Sequence, residues 1–181
     1  HSAEIRIYII SAGIREIIVG SEVAAVFDDI HASEILIDPT SKQWYINKLI
    51  NGFSKTAKII EIVKNNQLNV RLKYKDYSAE YKDCLYFGDS TSDLSAFGYM
   101  RKKGARTIGV YKKNDETLYR RAIHNIGDYI DALTPRDYTL GEETHMIINR
   151  FIAEIINPLR CTFPHELSHM DIKGQTINEE V

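Results

Sequence analysis

The chain has 181 residues, 44% of them apolar, and a formal charge of −2 from 23 Lys and Arg against 25 Asp and Glu. That composition suits a globular domain with a substantial core, and the near-neutral charge excludes an electrostatic case for nucleic acid or an anionic membrane as partner. No apolar run approaches the ~20 residues of a membrane span, the first residues lack a signal-peptide pattern, and Cys84 and Cys161 read as reduced thiols of a cytoplasmic protein.

Residues 5–10 mix alternation with an apolar end, the pattern of a strand entering a buried sheet. The strand should stop at Ser11-Ala12-Gly13, small residues that bring backbone N–H groups close to a docked ligand. A short helix is expected over 14–18. Asp28 and Asp29 read as a surface connection, and 30–37 and 43–47 as a hairpin around the Asp38-Pro39 turn.

Ser54 reads as the N-cap of an amphipathic helix whose apolar face is Ile59, Ile60, Ile62 and Val63. Lys55 in its first turn has the wrong sign for the helix dipole. A phosphate or carboxylate nearby would explain it, and solvation is the alternative. Residues 65–82 read as a polar surface connection.

The most informative stretch is Cys84-Leu85-Tyr86-Phe87-Gly88-Asp89-Ser90-Thr91-Ser92-Asp93. It reads as a strand, a turn opened by Gly88, and a helix beginning near Asp93. Asp89 then leaves the carboxyl end of a strand, where open α/β sheets place their ligands. Two carboxylates converging there repel each other, and a bound Mg²⁺ would relieve the repulsion. Without a ligand, Asp89 is a turn residue and Asp93 a helix-start charge.

Further along, a helix is expected from Leu94 to the basic pair Lys102-Lys103, a strand over 107–111, a helix over 115–126, a strand over 129–133 and an amphipathic helix ending before Pro158. Strands alternating with helices predict an α/β class, a Rossmann-like parallel sheet flanked by helices. Residues 1–157 would form this core and 158–181 a polar tail.

Ile10-Ser11-Ala12-Gly13, the helix-start Lys55 and Tyr86-Phe87-Gly88-Asp89-Ser90-Thr91-Ser92-Asp93, in this order, resemble motifs II, III and IV of the haloacid dehalogenase (HAD) superfamily. The nearest branch is the one like phosphoserine phosphatase. The resemblance implies a Mg²⁺-dependent hydrolase of a small phosphorylated metabolite, acting through an aspartyl-phosphate. It implies that Ser11, with Ala12 and Gly13, binds the phosphoryl group. Lys55 would neutralise phosphate charge, Asp89 would hold Mg²⁺, and Asp93 would complete or orient that site.

The sequence departs from this family in one respect: it contains no Asp-x-Asp, the motif carrying the family's nucleophile. The expectation is that this motif and its strand lie upstream of His1, or that another chain supplies them. The strands at 5–10 and 84–87 should then not pair with each other. A missing middle strand would separate them by roughly 9.6 Å, twice the spacing of neighbouring strands.

Two other functions compete. The chain could be a catalytically silent relative that binds metal, phosphate or a partner. His165-Glu166-Leu167-Ser168-His169 also matches a zinc-protease string, with His165 and His169 as ligands, although only twelve residues follow His169 to supply a third.

Overall fold

The computed structural model describes residues 4–65 and 78–157. The His165/His169 string, Cys161, the polar tail and most of the 65–82 connection lie outside them.

The described residues form two three-stranded sheets. In the first, β1 (Tyr8–Ile14) pairs parallel with β2 (Asp29–Ile37), which pairs antiparallel with β3 (Trp44–Lys48). In the second, β4 (Leu85–Gly88), β5 (Arg106–Tyr111) and β6 (Ala132–Pro135) are all parallel, with β5 central. As the sequence led us to expect, β1 and β4 are not paired with each other.

Five α-helices accompany the sheets among the described residues: α1 (Arg15–Val19), α2 (Gly52–Val63), α3 (Leu94–Lys102), α4 (Glu116–Ile126) and α5 (Glu143–Ile156). The chain is therefore mixed α/β, with a three-stranded parallel sheet flanked by helices. Side chains of successive strand residues point to opposite faces. Tyr86 accordingly joins one core with Ile59, Phe97, Met100 and Ile126 from α2, α3 and α4. Leu85, Ile108 and Val110 meet Phe151, Ile147 and Ile148 of α5 in the other. The same alternation turns position 109 toward the first core, where only glycine fits: a Cβ there would lie 2.7 Å from Ile130 Cδ1 and 2.9 Å from Ile126 Cδ1. No helix among the described residues is long and apolar enough to cross a membrane.

Several local expectations need correction. Ser11-Ala12-Gly13 does not end the first strand; β1 runs on to Ile14, and its pairing with β2 shifts between Ser11 and Ile14. That irregularity is a bulge, a feature common beside functional sites. It is fixed by the buried Ser33, whose hydroxyl donates to the Ala12 carbonyl (3.1 Å) and accepts the Ile50 N–H (3.0 Å). The N-cap of α2 is Asn51, not Ser54. The Asn51 side chain accepts from the N–H of Phe53 and Ser54, while Ser54 Oγ accepts the Asn51 N–H, forming a reciprocal cap. Asp29 opens β2 rather than lying in the connection before it. The last strand sits later than expected, at Ala132–Pro135, because Asp131 is held outside it by Thr107: the Asp131 carboxylate accepts the Thr107 N–H (2.8 Å).

Candidate functional site

The parallel strands β4, β5 and β6 end on one edge of their sheet, at Gly88, Tyr111 and Pro135. The residues that follow are Asp89, Lys112 and Arg136, so three charges gather at the carboxyl edge. Next to this edge lies a cleft of about 240 Å³, lined by Ile10, Ser11, Lys55, Phe87, Gly88, Asp89, Asp93 and Val110. Ser11, Lys55, Asp89 and Asp93, chosen from sequence, thus share one cleft. Ala12 and Gly13 do not line it. The Ala12 carbonyl is bound to Ser33, and the Gly13 N–H donates to Ser11 Oγ (3.0 Å).

Packing of α2 against the β4–α3 loop brings Lys55 in. A Cβ on Gly52 would lie 2.9 Å from the Ser92 carbonyl oxygen, so the helix start and the loop are in direct contact. Ser95 Oγ donates to the Gly52 carbonyl (2.7 Å) and contacts Thr56 Oγ1 at 3.2 Å. Held this way, Lys55 is 7% exposed and Asp93 3%, so Lys55 is not the solvated lysine of the alternative. The Lys55 ammonium donates to Asp93 Oδ1 (2.7 Å) and to Ser92 Oγ (3.2 Å). The wrong-sign cation at the helix start is answered by a carboxylate.

Asp93 is the hub. Oδ1 also accepts from the Tyr86 hydroxyl (2.7 Å), and Oδ2 accepts from the Asp89 N–H (3.3 Å) and Ser90 Oγ (3.4 Å). Burial, then the Asp93 charge, raises the Tyr86 pKa far above that of a free phenol, so the hydroxyl stays a donor. Asp93 ends a 3-10 turn, Thr91–Asp93, immediately before α3. Gly88 is needed because Asp93 lies against it, not because of a left-handed turn: a Cβ at Gly88 would come within 2.6 Å of Asp93 Cγ, and its φ is not among the positive ones.

Asp89 differs from Asp93. Its side chain is 58% exposed, and Arg136 Nη1 approaches Asp89 Oδ2 at 4.0 Å. As a cation site the pair is lopsided. Asp89 is open to a ligand, whereas both Asp93 oxygens already accept hydrogen bonds. The described residues hold no group of three or more His, Cys, Asp or Glu side chains that could bind a metal. Of the two carboxylates, only Asp89 has oxygens left free for a cation, which would need its remaining oxygen ligands from elsewhere, such as water or a substrate phosphate. Asp93 fits as the residue that orients the loop.

Sequence reasoning missed Tyr86, Ser92 and Arg136 as members of this site. Arg136 had a signal, since it follows a parallel strand directly, as Asp89 does. Tyr86 had none, because its hydroxyl reaches Asp93 only through the turn between them.

No family model matches the chain, and no solved structure gives a significant match. An uncharacterized protein of Borreliella burgdorferi is 28% identical in an alignment of 164 residues that takes in 79% of this chain and 56% of that protein. The chain thus spans a little over half the length of the curated relative it matches.

Proposed function

We propose that the cleft binds and transfers a phosphoryl group, as part of a Mg²⁺-dependent phosphate monoester hydrolase of HAD type. The observation that carries this is the meeting of Ser11, Lys55, Asp89 and Asp93 in one cleft, from β1, α2 and the loop after β4. In this reading Ser11 Oγ donates to a phosphoryl oxygen, and the Lys55 ammonium supplies positive charge at a fixed point. Asp93 and Tyr86 hold that ammonium in place, the preorganisation that phosphoryl transfer needs. Asp89, with one side open, would hold Mg²⁺, which neutralises phosphate charge when bound.

The nucleophilic carboxylate comes from outside the 181 residues in this reading. Its strand would lie between β1 and β4, which do not pair with each other among the described residues. The test is hydrolysis of an aryl phosphate with Mg²⁺ by the full-length protein. Turnover abolished by Asp89→Asn supports the phosphatase. Absence of turnover with retained phosphate binding supports a second, binding-only reading, favoured by the lack of any Asp-x-Asp in the chain.

A further inference from the structure

A second cavity, about 290 Å³, adjoins the cleft and shares Asp89 and Val110 with it. Its polar lining includes Lys112, Arg121, Asn125 and Arg136, beside Asp89, Ser90 and Thr91 of the loop after β4. Its apolar floor includes Ala122 and Ile126, 8% and 0% exposed. The size lies just below the usual range for ligand sites, about 300 to 1,000 Å³, as suits a single phosphate group.

The charges on this wall are unbalanced. Neighbouring cations have acids: Arg120 pairs with Glu116, and Lys113 with Asp137 and Glu142. Lys112 and Arg121 have no acid within ion-pair distance among the described residues, and Arg136 reaches only Asp89, at 4.0 Å. Three cations thus line one cavity with a single carboxylate, Asp89, in a chain whose net charge is negative. Asn125 adds an amide that makes no hydrogen bond among the described residues. One carboxylate is satisfied by one guanidinium fork. Two guanidinium groups, an ammonium and an amide offer more donors than a carboxylate can accept, and they suit the three oxygens and double charge of a phosphate.

We propose that this cavity binds a second phosphate group, so that the substrate is a small bisphosphorylated metabolite. One phosphate would lie against Ser11 and Lys55, and the other against Arg121, Arg136 and Lys112. The two would be bridged by a short linker over Asp89. The substrate assignment rests on the phosphoryl-transfer reading of the first cleft, whereas the second anion site stands on its own geometry.

Inorganic phosphate is the probe, titrated into the full-length protein and followed by backbone amide NMR. Two sites per chain are expected, one reported by Gly88 and Asp89 and one by Arg121 and Asn125. Arg121→Gln should weaken the second site about tenfold or more, the loss of a hydrogen bond to a charged group, and leave the first unchanged. Arg121→Lys should restore part of it. Ser11→Ala should do the reverse, weakening only the first. A single, Ser11-dependent site overturns the second-phosphate proposal and leaves the cleft reading standing. A single, Arg121-dependent site removes the cleft reading and keeps the second anion site. Acetate competing as well as phosphate at the Arg121 site overturns the assignment of a phosphate there. No binding at either site overturns both.

Discussion

Gly88 and Asp93 touch across the turn after β4: a Cβ built on Gly88 would lie 2.6 Å from Asp93 Cγ and 2.8 Å from both Asp93 Cβ and Oδ2. The contact sets the position of the carboxylate that holds Lys55. Gly88→Ala cannot be relieved by swinging a free side-chain end, because hydrogen bonds restrain both Asp93 oxygens. Overpacking of this kind costs about 1–3 kcal/mol. The expected result is a midpoint shift in urea with an unchanged m-value, and a weakened phosphate site at Ser11 and Lys55. A stability equal to wild type would mean that the contact is not tight.

The Lys55–Asp93 pair separates a structural from a functional role. Removing one partner of a buried pair costs about 3–5 kcal/mol, because the other charge is left unpaired. Lys55→Met should therefore destabilise strongly. Lys55→Met combined with Asp93→Leu should recover part of that loss, since apolar replacements of both partners are tolerated far better. Phosphate binding in the cleft should not recover. If the double variant binds phosphate like wild type, Lys55 serves only the fold.

Ser33→Ala tests the bulge. It removes the donor to the Ala12 carbonyl and leaves the buried Ile50 N–H without its partner, and an unsatisfied buried N–H of this kind costs about 1–3 kcal/mol. Hydrogen exchange of the Ile50 amide should accelerate. Exchange at an unchanged rate would mean that another group holds this N–H.

His31 gives a pH dependence with a defined sign. Burial lowers its pKa below the usual histidine value, and Lys58 and Lys48 act in the same direction, against Asp29 and Glu61. The ring stacks on Tyr8 at a centroid distance of 6.5 Å. As pH falls through about 6.5, the unfolded chain takes up a proton at His31 before the native state does. Stability from this residue is therefore present at pH 7.5 and declines toward pH 5. The melting temperature should fall over that range, and less so in His31→Gln. Equal falls in both proteins would show that His31 is not responsible.

The outer edges of β1 and β4 predict uneven amide protection. β5 is paired on both sides, whereas β4 is paired only with β5 among the described residues. In the 181-residue chain, some amides of Leu85–Gly88 should exchange well before those of Arg106–Tyr111. A longer protein that supplies a strand between β1 and β4 should protect them. Uniform protection of β4 and β5 in the 181-residue chain would show that the edge is already covered.

The sequence by itself fixed the elements whose cause is local. Alternation placed β2 and β3, apolar spacing placed α2 and α3, and Gly104 after Lys102-Lys103 marked the end of α3, with φ at +86°. The order of Ser11, Lys55, Asp89 and Asp93 was also enough to single them out. What local pattern could not decide was how each polar group is used. Ser54 has the chemistry of an N-cap, but Asn51 takes that place because its side chain reaches two N–H groups at the helix start. Asp89 and Asp93 look equivalent four residues apart, yet one is 58% exposed and the other has both oxygens engaged. That difference is created by Lys55 and Tyr86, which arrive from another helix and from inside the sheet. The cationic wall of Lys112, Arg121 and Arg136 was invisible for the same reason. Its members come from the end of β5, the face of α4 and the end of β6, and only the parallel register of the sheet brings them together.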